Sequence, residues 1–158
     1  MRVLGIDPGT SVTGYGIVEY GNGTPRFGRL VECGVIRLVK RSPLSRRLAE
    51  LHDEITHLIV RHQPTALALE NAYYHKNVRT TLVLGHARGV VLLAAEQNRL
   101  AIAEYPPATV RKAVVGVGGA PKAQVAAMVA RLLHLKHAPR PADAADGVAV
   151  ALAYIIRS

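Results

Sequence analysis

Arg2-Val3-Leu4-Gly5-Ile6-Asp7-Pro8-Gly9 opens the chain, and its reading organises the rest. Apolar residues crowd residues 2–7, an acid ends the run, and Pro8-Gly9 stops it. A short apolar run bounded by a turn signal is a buried strand, and an acid at its end needs a reason to be there.

Working outward, residues 12–20 and 26–38 read as two further strands. Gly21-Asn22-Gly23 between them predicts a hairpin turn. Residues 43–62 read as a helix with Ser42 as N-cap and Pro43 at its first position. Leu44, Leu48, Leu51, Ile55, Leu58 and Ile59 fall on one face of it, and Pro64 ends it. Residues 65–70, Thr-Ala-Leu-Ala-Leu-Glu, give a second short buried strand that ends in an acid. A long helix follows over 77–98, with small and apolar residues (Val78, Leu82, Gly85, Val90, Ala94) suited to close packing against another helix. A strand over 101–105, a short helix over 107–114, a Gly116–Gly119 loop and helices over 122–134 and 142–157 complete the chain. Three hairpin-linked strands, then alternating helix and strand, predict an α/β fold with a five-stranded mixed sheet flanked by helices. That is the RNase H-like arrangement, expected here as a single domain over residues 1–158.

Composition narrows the function classes. The 158 residues carry a formal net charge of +9, with 49% hydrophobic and 20% charged residues, which excludes a disordered chain. Such basicity suits a polyanionic partner, because neutralising phosphates releases counterions. The basic residues are scattered and not gathered on one amphipathic helix, which argues against a membrane surface. A single cysteine, Cys33, excludes a disulfide framework and reads as a small filler on a strand. The N-terminal apolar run is too short for a signal peptide, no stretch reads as a membrane span, and the expected location is cytoplasmic.

With 11 Asp and Glu residues in all, the positions of the acids are informative. Asp7 and Glu70 end strands that the topology makes parallel neighbours, and strand C-termini are where such sheets place their sites. Asp143 and Asp146, three apart at the start of the last helix, share one face. Four crowded carboxylates repel each other unless cations hold them. Hard oxygen donors without Cys or His point to Mg²⁺, with Mn²⁺ as substitute. Two such ions about 3.5–4 Å apart suit phosphodiester hydrolysis. Taken singly, Asp143 is also a natural helix N-cap, Glu70 a surface strand end and Asp7 a turn residue.

These residues carry a family resemblance. Gly5-Ile6-Asp7-Pro8-Gly9-Thr10 with Thr13-Gly14-Tyr15-Gly16 resembles the opening of the RuvC resolvases. Leu69-Glu70 with Lys76-Asn77, and Leu84-Gly85-His86-Ala87-Arg88-Gly89-Val90, resemble their second motif and the helix behind it. Val114–Gly118 with Lys122-Ala123-Gln124-Val125, and Ala142-Asp143-Ala144-Ala145-Asp146-Gly147, resemble the later blocks. The resemblance runs in order over nearly the whole chain. It implies a homodimer that binds four-way junction DNA and nicks two strands of like polarity, leaving 5′-phosphate and 3′-hydroxyl ends. It also implies Mg²⁺ dependence, two ions per subunit, and collaboration with the RuvA–RuvB branch-migration complex. By motif position Asp7, Glu70, Asp143 and Asp146 are the metal-binding catalytic acids, and the 77–98 helix is the dimer seam.

Some family positions differ here. Tyr73 stands where the family often has a Phe that stacks on an unpaired base, and a tyrosine ring can do the same. Arg111 stands at a basic position that is often Lys, and Lys112 is the alternative holder of that role. Lys122, at a helix start beside a Gly-rich loop, is placed to hold a phosphate. Lys76 and Arg79 are expected on the DNA backbone, as are Arg88 and Arg99. His134 and His137 read as surface residues. Three rivals remain at this stage: an ATP-binding lobe sharing the Gly5–Thr10 hairpin, another RNase H-like nuclease acting on RNA–DNA hybrids or ribosomal RNA, and a non-catalytic junction-binding module.

Overall fold

The computed structural model describes residues 1–71 and 77–158. Its elements are β1 (Arg2–Asp7), β2 (Val12–Glu19), β3 (Arg29–Arg37), α1 (Leu44–His62), β4 (Ala66–Glu70), α2 (Val78–Gln97), β5 (Ala101–Tyr105), α3 (Pro107–Val115), α4 (Lys122–Leu132) and α5 (Ala142–Arg157). One five-stranded sheet runs in the order β3-β2-β1-β4-β5, antiparallel across the first three strands and parallel from β1 to β4 to β5. This is the RNase H-like sheet that the strand pattern predicts.

Strand alternation sorts the core into two layers. Leu4, Ile6, Ile17, Leu67 and Leu69 pack with Leu51, Ile55, Leu58 and Ile59 of α1 and with Ala87, Val91, Ala94 and Ala95 of α2. Val3, Val18, Ala66 and Ala68 face the other way, onto α3, α4 and α5. The small side chains on that second face let α5 come close. A Cβ on Gly147 would lie 2.5 Å from the Tyr15 backbone, and one on Gly16 would lie 2.6 Å from the Val148 Cα. Since nothing larger than hydrogen fits at this crossing, α5 is pinned at a fixed height on β1 and β2. Ala144, Ala145 and residues 147–153 of α5 are buried accordingly, with Asp146 half-buried between them.

Two local expectations are corrected. Gly21 and Gly23 adopt positive φ (115° and 87°), Thr24 N–H donates to the Gly21 carbonyl, and β2 and β3 pair antiparallel as the expected hairpin, but β3 starts only at Arg29 and not at residue 26. Phe27 packs against the core and Gly28 takes a third positive φ of 95°, so the connection spans residues 20–28. The cap of α1 is Pro43, without a side-chain cap hydrogen bond, and not Ser42. Cys33 sits half-buried in β3 opposite Gly16, as the filler expected of it, and burial pushes its thiol up.

Candidate active site

Period-2 alternation places Asp7 on the same face as Val3 and Gly5, and Glu70 on the same face as Ala66 and Ala68. Both carboxylates therefore point to the side of the sheet that α5 covers. The parallel register pairs Ile6 with Leu69, which makes Asp7 and Glu70 level at adjacent strand ends. From above, α5 brings Asp143 and Asp146 in its first two turns, and the backbone of Asp143 lies against Gly14 of β2. Asp7, Asp143 and Asp146 each offer a carboxylate oxygen, all within 4.8 Å of one another. Glu70 joins through a hydrogen bond with Asp7.

The capping role open to Asp143 is not the one it takes. Pro141 is the N-cap of α5, with no side-chain cap hydrogen bond, and Asp143 lies inside the first turn.

The electrostatics are those of carboxylates crowded together. Burial, first, then the hydrogen bond and charge of Glu70 and the charge of Asp146 push the Asp7 carboxyl up to about 9, against a smaller opposing pull from Lys122. Lys122 Nζ lies 3.2 Å from Asp146 Oδ2, and the Asp146 charge raises the Lys122 ammonium above its ordinary value. The donor set is all carboxylate oxygen, which fits a hard divalent cation. The proton that Asp7 retains stands where such a charge would act. Residues able to hold the ion are thus Asp7, Asp143 and Asp146, with Glu70 alongside.

The acids sit between two recesses. One is lined by Asp7, Glu70, Val110, Arg111, Lys122 and Asp146. The other runs past Pro8 and Asn71 to Thr81, Gly85 and Arg88 of α2. Arg111 faces the first recess, while its Nε donates to the Gly118 carbonyl at 2.6 Å and so braces the Gly116–Gly119 loop ahead of Lys122. Lys112 is exposed and does not line that recess. Arg79 lies apart from the acids, in a separate cleft beyond the Pro8-Gly9 turn. Tyr73 and Lys76 fall outside the described residues. Arg88 pairs with Glu104 of β5. His134 and His137 are exposed, as expected of surface residues.

Comparison with known proteins gives this geometry its setting. A family model described as Crossover junction endodeoxyribonuclease RuvC matches residues 3–154. The chain belongs to the RuvC family. A RuvC from Pelotomaculum thermopropionicum is 47% identical over 154 residues, covering 98% of this chain and 92% of that protein. The structure of Thermus thermophilus RuvC superposes with a TM-score of 0.87 at 34% identity, covering 99% of this chain and 94% of that one. T. thermophilus RuvC in complex with Holliday junction substrate gives the same TM-score at 31% identity and the same coverage. This chain is accordingly a nuclease of the crossover junction endodeoxyribonuclease type.

Sequence reasoning did not foresee two features of the site. The Lys122–Asp146 ion pair joins elements 24 residues apart, and no spacing rule announces it. Arg47 of α1 reaches the turn after β1, its Nη1 donating to the Thr10 carbonyl at 3.4 Å. A signal for the second was present: Arg47 stands between Leu44, Leu48 and Leu51 on the apolar stripe of α1.

Proposed function

We propose that this RuvC-family chain resolves four-way DNA junctions by paired, symmetric nicks in strands of like polarity, leaving 5′-phosphate and 3′-hydroxyl ends. The convergence of Asp7, Asp143 and Asp146 within 4.8 Å, with Glu70 bonded to Asp7, is the observation that carries the reading. These four acids would hold two divalent cations per subunit, Mg²⁺ with Mn²⁺ as substitute. When bound, the ions lower the pKa of the attacking water and stabilise the departing oxygen of the phosphodiester.

The chain's own residues do the rest. Asp7, fixed on β1 between β2 and β4, would give up its proton to serve as a ligand. Lys122 keeps Asp146 turned into the cleft and, three-quarters exposed, remains able to contact a DNA phosphate. Arg111 holds the loop that carries Lys122 and lines the same recess, so it takes the supporting basic role in preference to Lys112. Tyr73 stacks on an unpaired base near the crossover, and Lys76 contacts the backbone beside it.

A four-way junction has near two-fold symmetry, and a homodimer supplies one site per strand to be cut. The seam is the outer face of α2. Val78 (73% exposed), Leu82 (60%) and Leu93 (52%) line it, and a Cβ on Gly85 or Gly89 would meet nothing within 4 Å. By length and hydropathy α2 alone among the described helices resembles a membrane span, but it carries Arg79, Arg88 and Glu96 and packs on α1. Its open apolar stripe is read as a subunit contact. Junctions would be delivered by the RuvA–RuvB branch-migration complex, in a cytoplasmic setting. Asp7→Asn tests the site assignment: it abolishes nicking in Mg²⁺ and Mn²⁺ and spares junction binding. Nicking retained by that variant would sink the assignment.

A further inference from the structure

A second cleft opens on the far side of the turn that carries Asp7. About 260 Å³ in volume, it is lined by Thr10 and Ser11 of the β1–β2 turn, Lys40 of the β3–α1 loop, Arg47 of α1, and Arg79 and Thr80 of α2. Three cations and three hydroxyl-bearing side chains converge there, and no acid lines it. The Arg47 Nε is buried and finds no hydrogen-bond partner among the described residues. An unpaired buried guanidinium donor is costly, and a planar fork of donors is best satisfied by a phosphate or carboxylate. The surrounding hydroxyls add donors that suit a phosphate's several oxygens.

We propose that this cleft is a second phosphate site, gripping the DNA backbone of the strand under attack on the side of Asp7 away from Lys122. Thr10 lies three residues from Asp7, so the cleft borders the turn that leaves the acids. Lys122, at the start of α4, belongs to the layer on the face of the sheet that α5 covers, whereas Arg47 and Arg79 belong to the helices of the other face. Cations thus flank the carboxylates on both sides, and a strand held at both would be fixed in position over them. Arg47 and Lys40 act here as positioning residues, since neither touches the reacting atoms. The identity of the phosphate as junction DNA rests on the function proposed above; the anion site itself does not.

The test is a coupling measurement. Junctions carrying single neutral methylphosphonates at successive positions around the exchange point are titrated, in EDTA, with wild type, Arg47→Gln and Lys40→Gln. The expected result is one backbone position whose neutralisation weakens wild-type binding about tenfold and does not weaken Arg47→Gln further. Both variants also lower the slope of log affinity against log salt by about one per phosphate contact. Loss of a purely structural brace at Thr10 would not depend on one phosphate's charge. Should Arg47→Gln fail to fold, exposed Lys40 carries the test alone. Wild-type sensitivity retained at every scanned phosphate by the folded variants overturns the site. Cleavage of the unmodified junction by wild type in Mg²⁺ separates the two claims. Cutting without coupling removes the second site and keeps the resolvase reading; coupling without cutting keeps the site and removes that reading.

Discussion

Asp7→Asn should make the metal-free protein more stable, although it destroys the reaction. In the folded chain without cations the Asp7 carboxyl is pushed from its ordinary 3.8 up to about 9, chiefly by burial and then by Glu70. At pH 7 the unfolded chain ionises this group and the folded chain must keep it protonated. Roughly three pH units at ~1.4 kcal/mol each set a ceiling of about 4 kcal/mol on the cost. Asn is neutral and can still donate to Glu70, so it removes most of that cost. Because the Asn amide is itself desolvated there, the gain is about 2–4 kcal/mol, or roughly 5–12 °C in Tm for a domain of this size. The sign with pH follows from proton counts. Between 3.8 and about 9 the folded state binds more protons than the unfolded one, so wild-type stability falls as pH rises. The advantage of the variant should vanish near pH 4 and widen by up to ~1.4 kcal/mol per pH unit above it. Divalent cation should reverse the order, because it binds the folded wild type and stabilises it by mass action while the variant has lost a ligand. Calorimetric melts from pH 5 to 8, in EDTA and then in excess Mg²⁺, provide the assay. A variant that melts at or below wild type in EDTA at pH 8, or a gap that ignores pH, refutes the reasoning.

Three further outcomes follow from particular contacts. Gly147→Ala places a Cβ 2.5 Å from the Tyr15 backbone; α5 must lift, stability should fall by about 3 kcal/mol or more, and cleavage should be lost with all four acids present, as thermal melts and nicking assays would show. Leu82→Lys puts a charge in the open apolar stripe of α2 and should yield a monomer in sedimentation, with single unpaired nicks replacing symmetric ones; an unchanged dimer moves the seam elsewhere. The Tyr15 hydroxyl donates to Glu32 at 3.0 Å, and burial with that bond pushes it up to about 12. Ultraviolet titration should therefore show a tyrosine that ionises late, absent in Tyr15→Phe, at a cost of about 1 kcal/mol in stability.

The sequence made the strand order and the acids readable for definite reasons. Asp7 and Glu70 each end an apolar strand, and an acid in that position is conspicuous because burial disfavours its charge. Asp143 and Asp146 were readable as a pair through helical spacing, though whether Asp143 caps the helix needed the backbone, where Pro141 holds that place. The hairpin turn at Gly21-Asn22-Gly23 was readable, but the strand after it was expected from residue 26, because Phe27 is apolar and packs on the core from the connection ahead of Arg29. Helix-cap chemistry likewise favoured Ser42 where the chain uses Pro43. The cleft of Lys40, Arg47 and Arg79 could not be assembled from the sequence, although Arg47 stands out on the apolar stripe of α1, since only the fold brings a loop, α1 and α2 beside Thr10.

The most direct trial of the central claim is a substrate comparison in Mg²⁺: a synthetic four-way junction, the matching linear duplex and an RNA–DNA hybrid, each end-labelled and incubated with the wild-type protein. The account predicts paired, symmetric nicks in the junction alone. Cleavage of the hybrid with the junction left intact, or junction binding without cutting in Mg²⁺ and Mn²⁺ alike, would contradict it.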